Sequence, residues 1–347
     1  MPPPPFTYLT VQGCQGLGQG SYWSWQSNNG PGRIYNHYQW CSWTNVDLYK
    51  YEEINKRIYE TGKVSYRLTV IGWGSKSTNE VIVRIYVDQA RSPERSKVVP
   101  GTTTLIAKVS CDFVYGHEAG ATCGSQPGAV QDEILADLSA GQVMEFKTTV
   151  PLPAKSTDNE DRKTGLNFEV KFEATNPANP GAIANLGTLR TVVRCDASTR
   201  GGFNGPACIF GGVQPSWWLS RTDPQVGEVA RHVYDALNNP NSTRPPDPSG
   251  NKLIPYNLTR TVDGNLNDAQ RRRAVYQCSK WFPKQPDESC DEYPFASTYE
   301  GSFNDPETNY SVRYINADHN STEGNKRGVW YYYDRILELD QFRVYAY

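Results

Sequence analysis

A chain of 347 residues is long enough for about two domains at roughly 100–200 residues each. Its negative mean hydropathy, only 2 Met beside 22 Tyr and 9 Trp, and the lack of any apolar run of about 18 residues exclude both a membrane-spanning helix and wholesale disorder. A formal charge of -2 excludes a generally basic surface, so a phosphate-binding surface would have to be a local patch.

The opening residues, Met1 to Phe6, carry neither the basic stretch nor the apolar stretch of a signal peptide. The 8 cysteines, however, fall into sequential pairs, Cys14 with Cys41, Cys111 with Cys123, Cys195 with Cys208 and Cys278 with Cys290. Four short-loop disulfides are the simplest reading, and they imply an oxidising, extracellular compartment, with a targeting segment already removed. Zinc is the competing reading; no C-x2-C pair and only 4 His speak against it.

The first sixty or so residues are rich in Trp, Tyr, Gly and Asn, and a short helix is expected around Tyr51 to Tyr59. Trp23, Trp25, Trp40 and Trp43 either line a sugar- or polymer-binding face or fill the core of a disulfide-tied cap, and filling the core is the commoner use. Six β-branched, alternating runs follow: Val64 to Ile71, Glu80 to Val87, Thr103 to Val109, Val143 to Val150, Leu166 to Ala174 and Thr188 to Val193. Breaker clusters such as Gly72 to Asn79 and Thr175 to Gly181 separate them, as in an antiparallel sandwich or barrel. After Cys195 the pattern changes. Helical spacing runs from Asp223 to Leu237 and from Asn267 to Lys280, with Asn267 as N-cap, and strand-like segments return at Tyr310 to Ile315 and Gln341 to Tyr347. The domains expected are 1–187, β-rich and disulfide-containing, and 188–347, α+β.

The densest supply of oxygen ligands in the second half is Asp291, Glu292 and Glu300, flanking an aromatic, proline-containing segment that begins at Cys290. One Mg2+ or Mn2+ held by such groups can offset charge on a phosphodiester and acidify a water molecule. Solvated loop carboxylates are the alternative on composition alone.

The segment Cys290-Asp-Glu-Tyr-Pro-Phe-Ala-Ser-Thr-Tyr-Glu-Gly301 resembles the signature of the secreted bacterial NucA/NucB-type deoxyribonucleases. The likeness extends upstream through Arg194-Cys195-Asp196, Cys208-Ile209-Phe210 and Ala230-Arg231-His232. Downstream it takes in Ser311 to Tyr314, Asn320, Gly324, Trp330-Tyr331 and Asp334 to Leu337, so that it covers roughly Thr188 to Tyr347. It implies metal-dependent cleavage of DNA by a secreted endonuclease, so that the fold expected is an α+β nuclease domain preceded by the all-β, sandwich-like domain read from the alternating runs; no base-reading motif is visible, which fits little sequence preference. Asp291, Glu292 and Glu300 match the family's acidic positions and Asn320 its downstream Asn, which makes Asp291, Glu300 and Asn320 the metal ligands implied. The chain departs from the family in having Gly301-Ser302 for Gly-Gly, and His319 where an acidic residue usually precedes the Asn. His319 then reads as a general acid or base, a phosphate contact, or a surface His; His232 reads as packing or hydrogen-bond support. Arg313, Arg335, Lys326 and Arg327 are the expected phosphate contacts, and Arg271 to Arg273, Lys280 and Lys284 add basic charge nearby. DNA is the expected partner, with no membrane or protein partner evident and a polymer or cell surface open to the first domain. A carbohydrate- or surface-binding protein with an inactive nuclease-like domain is the competing reading.

Overall fold

The computed structural model describes residues 8–17, 32–116, 129–176, 179–303 and 308–347. They fall into two compact units, Pro2–Ser198 with Asn204–Val213, and Thr199–Phe203 with Gln214–Tyr347. The 187/188 division falls inside a strand, Asn179–Asp196, that belongs to the first unit. Strand outweighs helix, 44% against 21%, and is shared among several sheets.

In the first unit a short helix α1 (Val11–Gly16) precedes β1 (Arg33–Asn36), β2 (Gln39–Ile54), β3 (Arg57–Gly74), β4 (Glu80–Arg91), β5 (Thr104–Tyr115) and β6 (Val130–Ile134). Helix α2 (Leu135–Ser139), β7 (Met144–Thr149), β8 (Thr164–Asn176), β9 (Asn179–Asp196) and β10 (Ala207–Phe210) complete it. Two five-stranded sheets result, ordered β1-β2-β3-β4-β7 and β10-β9-β8-β5-β6, with antiparallel pairing throughout. Alternate residues point into one core: Val64, Tyr66, Leu68 and Val70 from β3, Val81, Val83 and Ile85 from β4, Leu105 and Ala107 from β5, and Leu166, Phe168 and Val170 from β8. This is the period-two pattern read in the sequence, now with both sheets contributing to a single apolar cluster.

The helix expected at Tyr51 to Tyr59 is instead the end of a long β2–β3 hairpin. Ile54 pairs with Arg57, leaving Asn55 and Lys56 as a two-residue loop with φ of 53° and 61°, the left-handed values that a twisted hairpin turn requires. Tyr51, Ile54, Ile58 and Tyr59 are residue types that favour strand over helix once partners are available. Disulfides join Cys14 to Cys41, Cys195 to Cys208 and Cys278 to Cys290. Cys111 is also disulfide-bonded, while Cys123 lies outside the described residues, as do Trp23 and Trp25. Trp40 is buried and stacks on Phe210, and Trp43 packs against the small cluster around the Cys14–Cys41 link.

The second unit holds β11 (Ser216–Leu219), α3 (Gly227–Asn238), β12 (Asn257–Thr259), α4 (Gly264–Trp281), β13 (Glu288–Tyr293), β14 (Ser311–Asn316), α5 (Ala317–Tyr333) and β15 (Gln341–Ala346). A three-stranded sheet, β11-β15-β12, accompanies the β13–β14 pair. Helix α4 begins earlier than the expected Asn267 because Asp263 caps it, its carboxylate accepting the N–H groups of Asn265 and Leu266. Helix α5 is absent from the sequence reading. Its first turn is capped by Asn316, whose side chain accepts from the N–H groups of Asp318 and His319. Asn, Ser, Thr and two glycines mask it, since these are weak helix formers. No described helix is long and apolar enough to cross a membrane.

Candidate active site

The β13–β14 pair runs antiparallel from Glu288 opposite Asn316 to Tyr293 opposite Ser311, with Asp291 opposite Arg313. Alternation sends the two sides of this ribbon to different helices. Cys290 and its partner Tyr314, with Val312, pack on Ala274 and Cys278 of α4. Asp291, Arg313 and Ser311 instead meet α3: His232 lies 2.6 Å from Asp291 through Nδ1 and 2.7 Å from the Ser311 hydroxyl through Nε2, and Arg313 donates to Asp235 at 2.8 Å. An ionised Asp291 can only accept, so Nδ1 is the donor in that contact, and Nε2 meets the Ser311 hydroxyl at the other side of the ring. Ser311 and His232 are fully enclosed, so neither can meet a substrate. The chain Ser311–His232–Asp291 is a clamp that fixes one carboxylate oxygen.

Asp291 also lines a groove of about 430 Å³, together with Glu292, Asn320, Arg271, Arg327 and Phe295 among others. Asn320 on α5 is aimed by two hydrogen bonds of 3.0 Å from its Nδ2, to the Ser289 hydroxyl and the Cys290 carbonyl, which keeps its amide oxygen free to act as an acceptor. Arg327 is held firmly: its guanidinium pairs with Glu323 at 2.9 Å, donates to Ser297 at 2.6 Å and lies 3.9 Å over the Phe295 ring. Burial opposes its charge, but Glu323 and Tyr331 outweigh that and hold the proton more tightly than usual. The half-buried Glu292 carboxyl is pushed up to about 7, first by burial and then by the Asp291 charge, with Arg327 and Arg271 pulling the other way.

The structure thus brings Asp291, Glu292, Asn320 and Arg327 to one groove and leaves other expected residues outside it. Both Glu300 oxygens accept the Thr259 N–H, at 3.0 and 2.8 Å, so this carboxylate ties the motif to β12 and does not line the groove with Asp291 and Asn320. His319 sits at the start of α5 with Nδ1 facing the Glu228 N–H at 3.4 Å, and it too is absent from the groove lining. Arg313 lines a separate cleft. Lys326 is partly exposed, 3.8 Å from Asp223. Arg335 is corrected outright as a phosphate contact: it is buried, with its guanidinium 4.7 Å from the centre of the Phe203 ring. Sequence reasoning gave no role to Ser311 or Glu323. The i,i+4 spacing of Glu323 and Arg327 was the available signal, but it is visible only once α5 is recognised.

Asp291, Glu292 and Asn320 all line this groove, and carboxylate and amide oxygens are the hard donors that Mg2+ or Mn2+ takes, ions that use few protein ligands and complete their shell with water and phosphate. The raised Glu292 carboxyl fits the same idea, since a cation here would offset the repulsion between it and Asp291. Among the described residues no group of three or more His, Cys, Asp and Glu side chains is placed to hold a metal ion.

Residues 252–345 match the family model described as Deoxyribonuclease NucA/NucB, in agreement with the C-terminal resemblance read from the motif. The match takes in α4, β13, β14 and α5, and it leaves out α3 with His232 and the whole of the first unit. No curated protein matches the chain.

Proposed function

We propose, from the deoxyribonuclease family matched by its C-terminal segment, that this chain is a secreted, metal-dependent endonuclease that hydrolyses DNA with little sequence preference. The observation that carries the reading is the convergence of Asp291, Glu292 and Asn320 with Arg271 and Arg327 in one groove built from the matched segment. The metal ligands in this reading are Asp291, Glu292 and Asn320, with Glu300 as a structural tie. A bound Mg2+ or Mn2+ supplies Lewis acidity toward a phosphate oxygen and lowers the pKa of a water molecule. The protein's own groups do the rest. His232, fixed by Ser311, holds Asp291 in one orientation, so no reorganisation is needed when substrate arrives. Arg327, stacked on Phe295 and pinned by Glu323, presents a pre-set positive charge to the phosphate, and Arg271 adds a second from α4.

His319 is not assigned a proton-transfer role, because its Nδ1 faces the α3 backbone. Disulfide use suits an oxidising compartment outside the cell. The first unit, read as a sandwich, is the candidate for attachment to a polymer or cell surface. Retention of Asp291, Glu292 and Asn320 disfavours the reading in which the nuclease part is inactive.

Conversion of supercoiled plasmid to nicked and linear forms tests the proposal. Cleavage is expected with Mg2+ or Mn2+, and loss of it with EDTA and in Asp291→Asn. Undiminished cutting in excess chelator would overturn the metal-dependent reading.

A further inference from the structure

Beside the catalytic groove, on the other strand of the same ribbon, is a cleft of about 340 Å³ lined by Arg221, Arg231, Arg313, Tyr234, Glu228 and Asp235 among others. We infer that this cleft is a second phosphate-binding site, which takes the backbone of the DNA strand a few nucleotides from the bond being cut. The inference rests on the hydrolytic reading of the first groove for its substrate, and on separate residues for its geometry.

Charge is the first argument. Both acidic residues of the cleft are already engaged: Asp235 accepts from Arg313 at 2.8 Å, and Glu228 accepts the Asn316 N–H at 2.8 Å. Arg221 and Arg231 are exposed and have no carboxylate partner among the described residues. The guanidinium carbon of Arg221 lies over the Tyr234 ring, 3.9 Å from its centre, and Arg231 donates one N–H to the Arg221 carbonyl at 3.0 Å. Three guanidinium groups against two carboxylates leave the cleft net positive in a chain whose total charge is -2. An arginine held over an aromatic ring keeps its remaining N–H groups in a fixed fork, which matches phosphate oxygens two at a time.

Position is the second argument. Arg313 is the cross-strand partner of Asp291, and both side chains meet α3. Adjacent strands lie about 4.8 Å apart, and the groove takes its lining from β13 while the cleft takes part of its lining from the neighbouring β14. Arg221 and Arg231 precede residue 252 and so lie outside the segment that the family model matches.

The test uses the full chain with Arg221→Gln, Arg231→Gln and the double variant, and Arg221→Lys as the charge-preserving control. Anisotropy of a labelled duplex in EDTA, followed over a KCl series, gives the salt slope. Cleavage of duplex and of bis(p-nitrophenyl) phosphate, a diester too small to reach the second cleft, gives kcat/KM for each. The double variant should lose about 1.8 from the log–log slope, at about 0.9 per phosphate contact. Its kcat/KM should fall far more for duplex than for the small diester, and Arg221→Lys should retain the Arg221 share of the slope. An unchanged slope in a double variant that melts like wild type overturns the site, and so does an equal loss on both substrates, which would make the arginines supports of the first groove. If wild type cuts neither substrate yet the slope still falls, the phosphate site stands and the hydrolytic reading fails.

Discussion

Asp291 and Glu300 belong to one acidic motif and do different work. Asp291 is clamped by His232 and faces the groove, whereas Glu300 spends both oxygens on the Thr259 N–H. Asp291→Asn and Glu292→Gln should therefore lower kcat for plasmid cleavage by several orders of magnitude, because each removes a charge that a metal ion needs, with Asp291→Asn also lowering the melting temperature because it weakens the buried bond from His232. Glu300→Gln should behave in the opposite way. It weakens a charge-assisted hydrogen bond worth about 1.5–3 kcal/mol, so the melting temperature drops while kcat stays within a few-fold of wild type. A Glu300→Gln protein as inactive as Asp291→Asn, and as stable as wild type, would return Glu300 to the metal. His232→Ala should cost roughly 10–100-fold in activity or metal affinity, the usual effect of removing a residue that orients a ligand.

At the scale of elements, the motif is seated by α4. Gln270 is buried and its Nε2 donates to the carbonyls of Ala296 and Thr298 at 3.1 and 2.7 Å, while a β-carbon at Gly301 would overlap the Gln270 amide. Gly301→Ala is expected to destabilise the fold by about 1–3 kcal/mol through this clash, seen as a lower denaturation midpoint. The loop before β12 carries a titratable anchor. Lys252 is buried, donating to the Thr243 hydroxyl at 2.8 Å and the Pro245 carbonyl at 2.7 Å. Burial first and Arg244 second push its ammonium down to about 8, with Asp247 opposing. The unfolded chain binds the proton more tightly than the folded one, so stability should rise with pH between about 8 and the ordinary lysine value near 10.4. Lys252→Met should remove that rise when denaturation midpoints are compared across this window. The long alternating strands and the amphipathic α3 were legible because each buries one face of its own periodicity. Helix α5 was not, since its inward residues are Glu323 and Tyr331 in a run of poor helix formers. The Tyr51 to Tyr59 segment misled because its strand character depends on the β2–β3 pairing and on two left-handed residues in the turn. In the groove, Asp291 and Glu292 come from the motif and Asn320 from the segment downstream of it, and all three are among its lining. The different placing of Glu300 and the burial of Arg335 depend on contacts with Thr259 and Phe203, far away along the chain.

On the scale of the whole chain, the sequence passes between the two units more than once. Thr199–Phe203 belongs with the C-terminal unit, and Asn204–Val213 returns to the strand-rich one, where β10 pairs with β9. Phe203 is buried against Arg335, Arg260 and Tyr332. A fragment beginning at Thr199 should accordingly melt well above one beginning at Gln214, because losing a buried Phe costs about 3–5 kcal/mol; equal melting temperatures would remove Phe203 from the C-terminal core. The Cys278–Cys290 bond fastens α4 to β13 one residue before Asp291. Under the proposed function, cleavage of DNA inside the cell would endanger the maker's chromosome, and the strand bearing Asp291 is stapled to its neighbouring helix only after oxidation. Synthesis in a reducing cytoplasm should therefore be harmless, while the same gene in a host with an oxidising cytoplasm should cause chromosome breakage that Cys278→Ala relieves. The staple would then act as a safety catch, released by export.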